Sequence, residues 1–305
     1  MEALFTKEEM NKFISGGAAG AVAKCVIAPL DRVKVLFQAT TRRFTVNNAL
    51  LEMIRISREE GIRAFWKGNY AMMLRIIPYS AIQFTTYDYY KKQIFESDRS
   101  FSKTKLMLFN FMPGALAGAT AVLMTYPFEV TRTRLAIQTT SQVYKGVSHA
   151  FWTIGKAEGM KGLFNGFYPT ICGIAIYSGV SFSLYFTSKE VIGHSGNLEH
   201  FLFGAAAGII GQLSAYPFDV VRKRMQAHGF IEKVSSFRAT HNEEELKSML
   251  SYWKMIVRGE GLRGLFKGFS MNIVKSPIAS GIVHTTNEVM NHYFEDYSEK
   301  EKSYL

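Results

Sequence analysis

Apolar residues gather into six stretches, at about 13–37, 69–92, 109–135, 168–190, 200–225 and 269–292, with polar and charged segments between them. Each has the twenty or so residues a helix needs to cross a bilayer. None is an uninterrupted apolar run, and the mean hydropathy of the chain is +0.01. A helix that faces lipid on one side and a watery cavity on the other has this mixed character. The pattern predicts an all-α membrane protein with six spanning helices.

The six stretches are three copies of one pair. Pro29-Leu30-Asp31-Arg32-Val33-Lys34, Pro127-Phe128-Glu129-Val130-Thr131-Arg132 and Pro217-Phe218-Asp219-Val220-Val221-Arg222 all read Pro-x-acid-x-x-base. Thirteen residues before each proline stands Gly16, Gly114 or Gly204, and nine before it Gly20, Gly118 or Gly208. This Gly-x-x-x-Gly spacing puts small residues on one helix face, where neighbouring backbones can approach closely. The prolines come late in the odd helices, and three kinks at one depth would pinch the bundle toward one end. Glu60-Gly61 and Glu158-Gly159 follow 31 residues after Pro29 and Pro127, and lead into Trp66-Lys67-Gly68 and Phe164-Asn165-Gly166. In the third copy, Glu260-Gly261 and Phe266-Lys267-Gly268 come 43 residues after Pro217, so 12 residues are inserted between Gln226 and Glu260. The repeats run 1–98, 99–196 and 197–305, each with two spans joined through a short helix.

Charge narrows the function. Among 305 residues there are 36 Lys and Arg against 25 Asp and Glu, a net charge of +11. Such a balance suits nucleic acid, an anionic membrane surface or anionic small molecules. The basic residues alternate with apolar stretches and form no single basic face, which excludes a nucleic-acid binder. They crowd the segments that follow the odd helices, as Arg32, Lys34, Arg42, Arg43, Arg55, Arg58, Arg63 and Lys67 do in the first repeat. The positive-inside rule then places both termini on the opposite face. Cys25 and Cys172 lie in apolar segments and make no disulfide framework. His149, His194, His200, His284 and His292 lack metal-ligand spacing, and the His228, His241 and Glu243–Glu245 insertion reads as a solvated loop. No nucleophile–base constellation emerges, so neither an enzyme nor a cofactor is expected. The first nine residues resemble neither a signal nor a transit peptide, so an organellar address would be internal.

From about Phe13 to about Phe294 the chain resembles the mitochondrial carrier family, whose three repeats of about a hundred residues each carry Pro-x-[Asp/Glu]-x-x-[Lys/Arg]. The resemblance implies a threefold pseudosymmetric bundle in the mitochondrial inner membrane, with both termini toward the intermembrane space and a short matrix-side helix in each repeat. It implies a matrix gate of ion pairs Asp31–Arg132, Glu129–Arg222 and Asp219–Lys34. Gln38 and Gln226 brace two of the pairs, and Ala136 stands where a third brace would be. A cytoplasmic gate would use Asp88 and Lys91 on helix 2, Lys189 on helix 4 and Glu288 on helix 6. Its pairs are Asp88–Lys189 and Glu288–Lys91. The third would set Phe186 against Asn291, so this gate is incomplete and opening on its side is favoured.

Seven residues past Gly68, Gly166 and Gly268 lie Arg75, Gly173 and Lys275, the positions that line the central site in the resembled family. Lys24, five residues before Pro29, adds a third cation. Three cations in one cavity attract multiply charged anions. Gly173-Ile174, with Tyr177 four residues after the glycine and Tyr79 as its helix 2 counterpart, is similar to the slot of adenine-nucleotide-type carriers. The stretches Trp66–Phe84 and Gly166–Phe182 resemble the branch that holds the Graves disease carrier protein and the coenzyme A carriers. Ile176 and Lys275-Ser276-Pro277 depart from that branch. Arg222-Lys223-Arg224-Met225-Gln226 departs from the ADP/ATP carriers, and the absence of an EF-hand loop sets the chain apart from calcium-regulated carriers. The expected partners are an anionic small molecule, membrane lipids including cardiolipin, and no second subunit. A carrier of another anion, or a non-transporting scaffold that keeps the fold, are the alternatives.

Overall fold

The computed structural model describes residues 7–96, 103–139, 143–192, 197–234 and 248–303. Among these residues the chain is all helical. Six long helices, α1 (Lys7–Ala39), α3 (Asn69–Glu96), α4 (Lys103–Ile137), α6 (Phe167–Ile192), α7 (Asn197–Val234) and α9 (Phe269–Ser303), contain the six apolar stretches. Three short ones, α2 (Val46–Glu59), α5 (Val147–Leu163) and α8 (Met249–Glu260), join the members of each pair. The His241 and Glu243–Glu245 part of the insertion lies outside the described residues.

The short helices are set by local chemistry. Thr45 and Ser248 cap α2 and α8, their hydroxyls accepting the amides of Asn48 at 3.1 Å and Ser251 at 3.2 Å. Each short helix turns one apolar edge inward: Ala49 and Ile56, Ala150 and Ile154, Tyr252 and Ile256 are all buried. Glu60-Gly61 and Glu260-Gly261 end α2 and α8, and a 3-10 turn follows at Ile62–Trp66 and again at Leu262–Phe266, while in α5 the equivalent Gly159 kinks the helix at φ +69.

The long helices form a closed ring. α3 packs along α4, α6 along α7 and α9 along α1, so the main seams join different repeats. α1, α4 and α7 also meet one another, whereas the even helices have no comparable mutual contact. The meeting place is the end bearing the short helices, where Val33, Leu36, Phe37, Leu135, Ile154 and Leu163 make one core. The opposite half of the ring is splayed. An added Cβ at Gly16, Gly20, Gly114, Gly118 or Gly208 would meet nothing within 4 Å. The expected close backbone approach at the Gly-x-x-x-Gly pairs is therefore absent there, because the helices diverge at that depth. It occurs one turn further along α7, where a Cβ on Gly211 would stand 3.1 Å from the Tyr177 carbonyl.

Among the described residues, only Phe167–Tyr185 within α6 is apolar enough by composition alone to count as a span. Yet Ile77, Phe84, Met124 and Val289 on the other long helices are 63–71% exposed. Large apolar side chains left open on this scale are what lipid covers.

Gly68 ends the first connector at φ +82, and an added Cβ would lie 2.6 Å from the Arg132 carbonyl oxygen. Both the left-handed backbone and the contact with α4 require glycine. Gly68→Ala is expected to cost about 1–3 kcal/mol, read as a fall in unfolding temperature in detergent. Gly259→Ala, an exposed helical position with open space around it, should leave that temperature unchanged or slightly higher.

Candidate functional site

The motif residues converge where α1, α4 and α7 meet. Two of the three expected pairs are made: Arg132 Nη2 lies 3.3 Å from Asp31 Oδ2, and Arg222 Nη2 lies 2.8 Å from Glu129 Oε1. The third is not. Lys34 donates instead to Asn272 Oδ1 of α9 at 2.7 Å and sits 5.3 Å from the Tyr216 ring centre. Its ammonium is hydrogen-bonded to a neutral acceptor and makes no ion pair with Asp219, so the ring is closed by ion pairs at two corners and by polar packing at the third.

The cations expected at the site reach down to the same acids. Arg75 pairs with Glu129 and donates to Thr125 Oγ1 at 3.1 Å, with its guanidinium 5.3 Å from the Tyr79 ring centre. Lys275 Nζ lies 2.5 Å from Asp31 Oδ1. Arg132 also comes within 3.9 Å of Glu129. Lys275, Asp31, Arg132, Glu129 and Arg75 thus form one continuous chain of charges across the cavity floor. Lys24 is half-buried and has no ion pair among the described residues. Gly173 is buried against Phe218, 3.3 Å from an added Cβ, while Ile174 and Tyr177 are exposed.

Gln38 and Gln226 do not brace the expected pairs directly. Gln38 Nε2 donates to Tyr216 Oη at 3.0 Å, and that hydroxyl donates to the Lys267 carbonyl at 2.7 Å. Gln226 Nε2 donates to Tyr126 Oη at 3.0 Å, and Tyr126 donates to the Asn165 carbonyl at 3.0 Å. Each glutamine thus ties a tyrosine that precedes a motif proline to the next connector. At the third corner both partners are lost together, as Ala136 and Ala28, and a small cavity opens there. The sequence carries this signal: the motif proline follows tyrosine at Tyr126-Pro127 and Tyr216-Pro217 but alanine at Ala28-Pro29.

Two further sets were missed from sequence. Lys223, buried beside Arg222, reaches Glu129 Oε1, Thr133 Oγ1 and Gln226 Oε1, each at 3.0 Å. Below the motif ring lies a second ring of arginines. Arg134 binds the Gln226 carbonyl at 3.0 Å and the Glu158 carboxylate. Arg224 binds the Gln38 carbonyl at 2.9 Å and Glu260. Arg32 binds the Ala136 carbonyl at 3.1 Å and Glu60 at 2.9 Å. Each arginine therefore joins its own Glu-Gly element to the end of another repeat's odd helix. Lys67 and Lys267 pair with Glu60 and Glu260 in two of the repeats. Burial pushes the Lys267 ammonium below its ordinary value, opposed by its hydrogen bond to Glu260.

At the splayed end, Asp88, Lys91 and Glu288 are exposed. No ion pair forms between Lys91 and Glu288, and Lys91 lies 5.9 Å from the Tyr87 ring centre. The side chain of Lys189 lies outside the described residues. The cavity is therefore floored at the motif end and open at the other.

A threefold six-helix bundle with a charged cavity floor defines a membrane carrier. The profile of the family described as mitochondrial carrier protein matches residues 6–98, 103–196 and 193–298, and the chain belongs to that family. It is a multi-pass transporter of the mitochondrial inner membrane and not an enzyme. It is 42% identical over 288 residues to the mitochondrial coenzyme A transporter SLC25A42 of Xenopus laevis, covering 92% of this chain and 84% of that one. The human protein of the same name is 40% identical over 292 residues, covering 93% and 88%. Solute carrier family 25 member 16 of Mus musculus is 36% identical over 310 residues, covering 93% and 88%.

Proposed function

We propose that this carrier exchanges coenzyme A or a related adenine nucleotide (dephospho-coenzyme A, adenosine 3′,5′-bisphosphate, ADP or ATP) by alternating access at the cavity floor. The observation that carries the reading is the double use of Arg75 and Lys275. Each is held by a motif-ring acid, Glu129 or Asp31. A polyanion that takes both cations loosens the ring at two corners, so binding offsets the cost of opening. Likeness to proteins named as coenzyme A transporters supports the nucleotide, as does the exposed Ile174 and Tyr177 surface beside Gly173, where a flat base can pack.

The motif ring is then the matrix gate, and Asp88, Lys91, Lys189 and Glu288 form the cytoplasmic one. The basic connectors face the matrix, both termini face the intermembrane space, one chain suffices, and cardiolipin is the lipid that suits the connectors. The test is a thermal-shift screen of the protein in detergent. Coenzyme A or adenosine 3′,5′-bisphosphate should raise the unfolding temperature by mass action. Arg75→Ala and Lys275→Ala should each weaken that binding by about a hundredfold, the loss of a charge-assisted contact whose partner is left unpaired. Stabilisation by keto acids or amino acids alone would point to another anion, and no stabilisation by any ligand to a scaffold. Exchange in liposomes then separates transport from binding.

A further inference from the structure

The three repeats are unequal at the cavity floor. Lys275 of α9 meets Asp31 of α1 at 2.5 Å, and Arg75 of α3 meets Glu129 of α4. At the third corner the residues equivalent by repeat position are Gly173 of α6 and Asp219 of α7. Gly173 has no side chain to offer and rests on Phe218. Lys34, the base that a symmetric ring would provide, is engaged by Asn272 and Tyr216. Asp219 is half-buried and has no ion-pair or hydrogen-bond partner among the described residues. Threefold symmetry fixes where its partner belongs. A group in the space that a side chain at position 173 would fill stands to Asp219 as the Lys275 ammonium stands to Asp31.

We propose that Asp219 is a specificity-determining residue that accepts a hydrogen bond from an exocyclic amino group on the substrate's purine base, seated beside Gly173, Ile174 and Tyr177. This rests on the nucleotide reading above. An ionised carboxylate accepts and never donates, so Asp219 calls for a donor. The other two corners are cationic and take the anionic groups. Cations at two corners and the acceptor Asp219 at the third therefore orient the substrate, phosphates toward Arg75 and Lys275 and the amino edge of the base toward α7. A base without that amino group leaves the carboxylate in the cavity floor without its donor, the kind of loss that discriminates strongly.

The test compares equilibrium binding of adenosine 3′,5′-bisphosphate with that of purine riboside 3′,5′-bisphosphate, which carries hydrogen in place of the 6-amino group. The unsubstituted protein should bind the adenosine compound about tenfold more tightly or better, the value of one hydrogen bond to a charged group. In Asp219→Ala the ratio should fall to near one, and in Asp219→Asn to an intermediate value. Should Asp219→Ala fail to fold, the asparagine variant carries the test. A ratio that survives in both Asp219 variants overturns the proposal. Equal binding of the two compounds to the unsubstituted protein overturns the role of Asp219 and leaves the nucleotide reading standing. No binding of either compound overturns both.

Discussion

Glu129→Gln should lower the unfolding temperature of the ligand-free carrier by on the order of 10 °C, from a cost of about 3–5 kcal/mol. Glu129 is 4% exposed and is the hub of the cavity floor. It pairs with Arg75, with Arg222 at 2.8 Å and with Lys223 at 3.0 Å, and Arg132 comes within 3.9 Å. A glutamine keeps the shape and can still accept a hydrogen bond, but it leaves four cations around one neutral group. Removing one member of a buried ion cluster costs far more than removing an exposed pair, because the partners stay behind uncompensated. The comparison that makes this specific is Asp219→Asn at the equivalent position of another repeat. Asp219 makes no ion pair or hydrogen bond among the described residues, so this variant should shift the unfolding temperature by less than half as much. Equal shifts for the two variants would refute the asymmetry of the floor.

Arg32→Leu should destabilise by a similar amount, about 3–5 kcal/mol, and a second substitution should recover part of it. Arg32 is 2% exposed. It spends its guanidinium on the Ala136, Ala64 and Gln138 carbonyls at 3.1, 2.9 and 3.0 Å and on Glu60 at 2.9 Å. Its counterparts are not at the same place in the sequence. Arg134 and Arg224 lie seven residues after their prolines and Arg32 only three after Pro29. Val130 and Val220 stand where the first repeat has Arg32, and Leu36 stands where the others have arginine. Four residues is about one helical turn, so arginine and apolar residue have exchanged places on one helix face and the long side chain still reaches the carboxylate. Arg32→Leu combined with Leu36→Arg restores the arrangement of the other two repeats. It should be measurably more stable in thermal unfolding than Arg32→Leu alone. If it is no better, the two positions do not share one space.

The same exchange shows where sequence reading loses its grip. Aligning the repeats by residue offset finds Pro-x-acid-x-x-base three times and finds the Glu-Gly and aromatic-x-Gly marks, because those groups act at fixed points of a repeating backbone. It cannot find Arg32 as the equivalent of Arg134, since a side chain several ångströms long can start one turn away and end in the same place. Along the sequence Lys223 stands out only as part of the run Arg222–Gln226 that departs from the ADP/ATP carriers. Its burial against Glu129, Thr133 and Gln226 depends on how closely α4 and α7 approach, which no local pattern states. The paired loss at Ala28 and Ala136 was legible in principle, but only once Tyr126 and Tyr216 are known to face Gln226 and Gln38.

The sequence by itself determined the class of the fold, the three repeats, the six spans and the residues able to carry charge at the cavity floor. These follow from periodicity and from the cost of placing charge in apolar helices, and both are properties of the chain read along its length. The tertiary structure decided the pairing. Which base reaches which acid depends on helix approach and on competing acceptors, as Asn272 and Tyr216 show by taking Lys34 from Asp219. It also decided which end is closed, since the glycine pairs would allow close packing at the splayed end and the helices there stand apart.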